Sequence, residues 1–190
     1  VTSIATLKTK RIYMLEKAKV APAIDGKLND VCWKTAVIVD SLEKINKKGI
    51  PESTPDQRTK IYLTYDDSNI YLAAHCDEKS PDNSIVAKIK DRDGGIWNED
   101  SIELFLDPGH TKSIYFQFIT SAIGTQLDAS KRGNVEKWNV VWQSSALKSD
   151  DDSYWDVEFA IPYKILNASV PKKGDVWGIS ICRDDAPLGL

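Results

Sequence analysis

The sequence predicts an all-β protein, an antiparallel β-sandwich of jelly-roll type with short helical turns. Three observations predict it. From residue 58 onward apolar and polar residues alternate with a period of two. Clusters of turn-forming residues break that alternation at near-regular intervals. Long stretches with a helical period are missing.

The elements follow in order. Residues 1–11 mix apolar and basic side chains and read as a lead-in, with one edge strand expected over Arg11–Leu15. Ile24-Asp25-Gly26 is a turn, and its glycine is free to take positive φ. Asn29 or Asp30 can cap a short helix that carries Trp33 and Ala36 inward. Residues 43–57 are rich in Lys, Pro, Asp and Ser and read as an exposed loop. Ile61, Leu63 and Tyr65 share one strand face, Asp66–Asn69 turns the chain, and Ile70, Leu72, Ala74 and Cys76 share the next face. Residues 78–100 form a long polar connection. Strands are expected again over 101–106, 113–120, 125–129, 138–144, 154–161 and 176–183, with a helical turn at Pro162–Leu166. No linker divides the chain, so residues 12–190 read as one domain.

Composition excludes several function classes. The net charge is −3, from 25 Lys and Arg against 28 Asp and Glu, so no basic face for nucleic acid is expected. The longest uncharged stretch, Ser113–Leu127, carries Ser, Thr, Gln and Gly and is too short to span a bilayer. Cys32, Cys76 and Cys182 are widely spaced and read as small buried hydrophobes. His75 and His110 cannot supply a metalloprotease helix or a His-rich site. The chain also carries no nucleophile elbow, no phosphate-binding loop and no dinucleotide fingerprint.

Two kinds of residue remain as candidates. Asp91, Asp93 and Asp100 offer hard oxygen atoms for a structural calcium, although Ile102 stands where an EF-hand loop needs glutamate. Glu103 and Glu158 are strand carboxylates of the type a glycosidase pairs. No supporting base accompanies them, so no catalysis is expected. The aromatic residues say more. Trp33, Trp155 and Trp177 sit among apolar residues and read as core. Trp97 stands in a polar loop, between Gly94-Gly95-Ile96 and Asn98-Glu99-Asp100. Trp138 and Trp142 are expected on one face of a strand. A flat ring beside acids and amides suits a sugar, whose C–H groups stack while its hydroxyls bond the polar groups.

Five blocks, taken in order, resemble family 9 carbohydrate-binding modules. They are Ile24-Asp25-Gly26-Lys27-Leu28-Asn29-Asp30 with Trp33 and Ala36; Trp97-Asn98-Glu99-Asp100-Ser101-Ile102-Glu103-Leu104-Phe105-Leu106-Asp107; Tyr115-Phe116-Gln117-Phe118; Trp155 to Pro162; and Trp177-Gly178 with Arg183. The resemblance covers residues 12–190. It implies a non-catalytic β-sandwich that binds saccharide, works beside a glycoside hydrolase outside the cytoplasm or at the cell surface, and holds structural calcium. It makes Trp97 a stacking platform and Glu103 an acceptor for sugar hydroxyls. Asn98, Gln117 and Trp138 are further candidate contacts. Departures from the pattern are Ile119 in place of an arginine, Cys182 in place of a glutamine, and the lack of the second clamp tryptophan, which belongs to a closing segment expected after Arg183. Two alternatives stand beside this reading. One is a structural accessory domain without sugar binding. The other is a haem-binding sandwich, which would need Met14 and His75 as axial ligands.

Overall fold

The computed structural model describes residues 11–40, 42–45, 51–53, 57–78, 85–131 and 135–186. Most of the expected lead-in, part of the 43–57 loop and the last four residues lie outside them. In chain order the strands are β1 (Val37–Val39), β2 (Lys44–Ile45), β3 (Pro51–Ser53), β4 (Thr59–Tyr65), β5 (Asn69–Asp77), β6 (Ser101–Asp107) and β7 (Tyr115–Ser121). β8 (Gln126–Lys131), β9 (Val135–Lys137), β10 (Gln143–Lys148), β11 (Tyr154–Pro162) and β12 (Gly178–Asp184) follow. Short 3-10 turns stand at Val31–Lys34, Ile96–Asn98 and Tyr163–Leu166.

Two five-stranded antiparallel sheets form the sandwich. The first runs β1-β4-β5-β11-β10 and the second β12-β6-β7-β8-β9; β2 and β3 pair separately. The period-two alternation explains the layering. Ile61, Leu63, Leu72 and Ala74 point inward from the first sheet and meet Ile102, Leu104, Phe116 and Phe118 from the second. Trp142 fills the gap between layers, stacked on Phe159 at 5.5 Å between ring centres and met edge-on by Phe118 at 5.1 Å.

Turn chemistry sets the β4–β5 hairpin. The Asp66 carboxylate accepts from the backbone N–H groups of Ser68 and Asn69 at 2.7 and 2.8 Å and from the Tyr71 hydroxyl at 2.7 Å. The outward face of the first sheet carries the opening turn of the domain. Glu158 of β11 is fully buried there, accepting from the N–H groups of Asp25 and Gly26 at 3.0 and 2.9 Å and from the Trp33 indole at 2.9 Å.

The sheet interior also holds a cation. Arg183 of β12 is nearly buried and crosses to the first sheet, where it donates to the Asp77 carbonyl at 2.9 Å and lies 3.4 Å from a Glu78 carboxylate oxygen.

Three expectations are corrected. Residues 11–16 form no strand; a single parallel bridge, Lys17 to Tyr65, holds this segment. The loop over 43–57 contains the β2–β3 pair. The strand expected over 138–144 begins only at Gln143. Before it, side chains satisfy the backbone in place of a strand partner. Asp128 accepts from the Val140 N–H at 3.1 Å, and Arg92 donates to the Val140 carbonyl at 2.9 Å.

Candidate functional site

The outward face of the second sheet can be mapped from its register. Adjacent strands place Asp184 beside Ser101, Cys182 beside Glu103 beside Ile119 beside Leu127, and Ser180 beside Phe105 beside Gln117 beside Ala129. Successive rows lie about 7 Å apart along the strands and columns about 4.8 Å across them. Glu103, Phe105, Gln117 and Tyr115 are all half-buried, while their neighbours Ile102, Leu104, Phe116 and Phe118 close the core on the other side.

The 85–98 loop covers one end of this face. Ile96 and Ile89 pack on Ile119 and Leu127. Two buried carboxylates tie the loop to the start of β6. Glu99 accepts from the N–H groups of Lys88 and Ile89 at 2.8 and 3.0 Å, and Asp100 accepts from Val86 N–H at 2.6 Å. Gly94 allows the fold-back, since a Cβ there would lie 2.6 Å from the Ile89 side chain and 2.9 Å from the Asp91 carbonyl oxygen. With Ile96 pinned beneath, Trp97 is left 49 % exposed above the sheet. Asn98 turns its amide onto the Gly95 carbonyl at 3.1 Å.

Of the sequence candidates, Trp97, Asn98, Glu103 and Gln117 therefore share one side of the molecule. Gln117 donates its side-chain amide to Glu103 at 3.0 Å, which leaves further carboxylate lone pairs for a ligand. Trp138 does not join them. It packs 4.9 Å from Phe116 and 6.1 Å from Phe118, on the core side of the same sheet. Alternation in residues 138–142 is a real burial pattern, but it turns those rings inward.

The structure also separates the three candidate calcium ligands. Asp91 is exposed at the loop tip. Asp93 sits against β8, where its N–H donates to the Gln126 carbonyl at 3.0 Å. Asp100 lies at the loop base with Glu78 and Asp185, their oxygens within 4.8 Å of one another. Those oxygens are already engaged by N–H groups. The Gln57 amide reaches Glu78 at 2.7 Å and Asp185 at 3.1 Å, Arg183 reaches Glu78, and Val86 and Ala186 N–H groups reach Asp100. These contacts give the acidic cluster hydrogen-bond and ion-pair partners within the protein. Burial pushes the Asp100 carboxyl up to about 6.

Glu103 and Glu158 occupy opposite outer faces of the sandwich, so they cannot flank one glycosidic bond. Haem ligation fails on similar grounds. Met14 is exposed, and both ring nitrogens of His75 are taken, by Asp156 at 2.6 Å and Asp77 at 3.3 Å.

Sequence reading missed four side chains on the open face. Phe105 meets Tyr115 edge-on at 5.7 Å, and the Lys131 ammonium lies 5.7 Å from the Tyr115 ring centre. Asp184 receives the Ser101 hydroxyl at 2.8 Å. Strand parity was the available signal for Phe105 and Tyr115. Lys131 and Asp184 needed the register between strands.

The family described as carbohydrate family 9 binding domain-like matches residues 24–187. A family 9 carbohydrate-binding module from Caldicellulosiruptor kristjanssonii, in complex with glucose, is 19 % identical with a TM-score of 0.65, covering 94 % of this chain and 80 % of that one. Its cellotriose complex gives 16 % identity and 0.63, covering 92 % and 77 %. A protein from Bacteroides uniformis is 14 % identical with a TM-score of 0.67, covering 89 % and 81 %. Comparison with curated proteins gives no match. Among the described residues no helix is long and apolar enough to cross a membrane.

Proposed function

Since the chain belongs to the carbohydrate family 9 binding domain-like family, we propose that this carbohydrate-binding module takes its saccharide on the open face of the second sheet and performs no reaction on it. The observation that carries the reading is Trp97, half exposed over a face where the Glu103 carboxylate and Gln117 amide already stand together. A pyranose stacked on the indole would present its equatorial hydroxyls to those two groups. Phe105 and Tyr115 add apolar surface to the same face of the sheet. Glucose and cellotriose, bound by the Caldicellulosiruptor module, are the ligands to test first.

A secreted or surface setting beside a polysaccharide-degrading enzyme follows from the family resemblance and belongs to the same proposal. For the acidic cluster at Glu78, Asp100 and Asp185, the reading is that Arg183 balances the charge in place of calcium.

Titration calorimetry with cellotriose tests the site. Trp97→Ala is expected to remove on the order of 1–3 kcal/mol of binding, judged from aromatic stacking on planar rings. The melting temperature should change little, because the ring is half in solvent. A second reading has its own support. Ile119 is buried under Ile96, and Cys182 offers only a thiol, so the face carries fewer polar groups than the family pattern implies. No cellotriose or glucose binding by the parent protein, with a fall in melting temperature for Trp97→Ala, would favour a structural accessory domain.

A further inference from the structure

A pair of aromatic rings stands on the open face apart from Trp97. Phe105 of β6 and Tyr115 of β7 meet edge-on at 5.7 Å between ring centres. Strand parity turns both away from the core, which their sequence neighbours Leu104, Leu106 and Phe116 close from the other side. Among the described residues neither ring joins an apolar cluster of the fold. Large rings kept on an outer face, outside every cluster, are contact surface and not core.

Register sets this pair in line with the Trp97 site. Ile96 and Ile89 of the covering loop pack on Ile119 and Leu127, in the row that also holds Glu103. Phe105 and Gln117 form the next row, and Tyr115 and Lys131 the one after. From Ile119 to Tyr115 the strand runs about 13 Å at the usual rise per residue. That run is longer than one pyranose ring. The chemistry along it alternates between stacking and hydrogen-bonding groups. The Trp97 indole comes first, then the Glu103 carboxylate and Gln117 amide, joined at 3.0 Å, then the Phe105–Tyr115 pair. The Lys131 ammonium, 5.7 Å from the Tyr115 ring centre, adds N–H donors at the far end. Ser180, beside Phe105 on β12, is exposed, so the middle row is open on that side.

We propose that the open face takes a chain of sugar rings laid along β6 and β7, with Tyr115 as a second stacking platform, so that the ligand class is an oligosaccharide or polysaccharide chain and not a single sugar. The inference rests on the binding reading above. Phe105 fixes the tilt of the Tyr115 ring by its edge-on contact, so the second platform is in place before ligand arrives. One sugar on Trp97 reaches the Glu103–Gln117 pair and leaves Tyr115 uncovered. The rings that follow reach Tyr115, where their C–H groups stack on the phenol and a hydroxyl accepts from Lys131.

Calorimetric titration with glucose and with cellotriose tests the inference. Cellotriose should bind at least about tenfold more tightly than glucose, the gain from a further stacked ring. Tyr115→Ala should cost about tenfold in cellotriose affinity and so remove most of that gain. The parent protein supplies a readout that needs no variant. Its Tyr115 ring-proton resonances should shift with cellotriose and stay in place with glucose. Equal affinity for the two sugars overturns the inference while the binding reading stands, since glucose still binds. Tyr115→Ala with the full cellotriose advantage overturns it too, as do Tyr115 resonances that stay in place at saturating cellotriose. Binding of neither sugar overturns the binding reading, and this inference with it.

Discussion

Glu158→Ala is expected to lower the stability of the fold by about 3–5 kcal/mol, because it strands buried donors that a carboxylate satisfied. Glu158 is fully buried on β11, and three donors converge on it from a part of the chain more than a hundred residues away. They are two consecutive backbone N–H groups in the opening turn and the indole of Trp33. Water cannot replace the carboxylate without opening the segment that carries Cys32, Trp33 and Ala18 against the sheet. For a domain of this size the melting temperature should drop on the order of 10 °C. Gly26 belongs to the same clasp. It has φ of +85°, and a Cβ there would meet Leu147 and Ala146 at 3.1 Å, so its N–H reaches Glu158 only because the side chain is absent. Glu158→Gln should recover part of the loss, since one oxygen remains to accept. A thermal melt of Glu158→Ala within a degree of wild type would contradict this role.

Arg183→Met is the second large effect, about 3–5 kcal/mol of destabilisation, from leaving the buried Glu78 carboxylate without its cation. The guanidinium reaches Glu78 and Asp185 and the backbone carbonyls of Arg58 and Asp77. It links β12 to the far sheet. The loss should depend on pH. Asp100 is already pushed up to about 6, and burial raises Asp185 as well. An acid with a raised folded pKa binds protons more tightly when folded, so stability falls as pH climbs from the unfolded value through the folded one. Without Arg183 the Asp185 carboxyl rises further. The variant should therefore lose less at about pH 5 than at about pH 8. In the wild type, excess chelator should leave the melting curve unchanged. A fall that added calcium restores would show that a metal, not Arg183, balances the cluster.

Much of this architecture is legible in the chain because strand parity is a local property. Ile102, Leu104, Phe116 and Phe118 alternate with Glu103, Phe105 and Gln117, so the inward and outward faces of β6 and β7 can be read without a structure. The exposure of Trp97 is legible for a different reason: among Gly, Asn, Glu and Asp the indole has only Ile96 as an apolar neighbour. What parity cannot supply is register. The diagonal placement of Asp184 relative to Glu103 depends on how β12 is set against β6, which the alternation within either strand does not reveal. Trp138 misleads because burial alternates there while the backbone hydrogen bonds go to side chains. Asp91, Asp93 and Asp100 are close in sequence, but among the described residues Asp100 groups with Glu78 and Asp185, which no local spacing reveals.

The central claim is that saccharide sits on the open face of the second sheet. Mapping of backbone and side-chain N–H chemical shifts during titration with cellotriose tests it most directly. The account predicts shifts confined to the Trp97 indole, the Gln117 amide and the outward residues of β6, β7 and β12. Shifts centred on the groove of Lys90, Arg92 and Gln126, or on the face that carries His75, would contradict it, and so would no shift at all at saturating sugar.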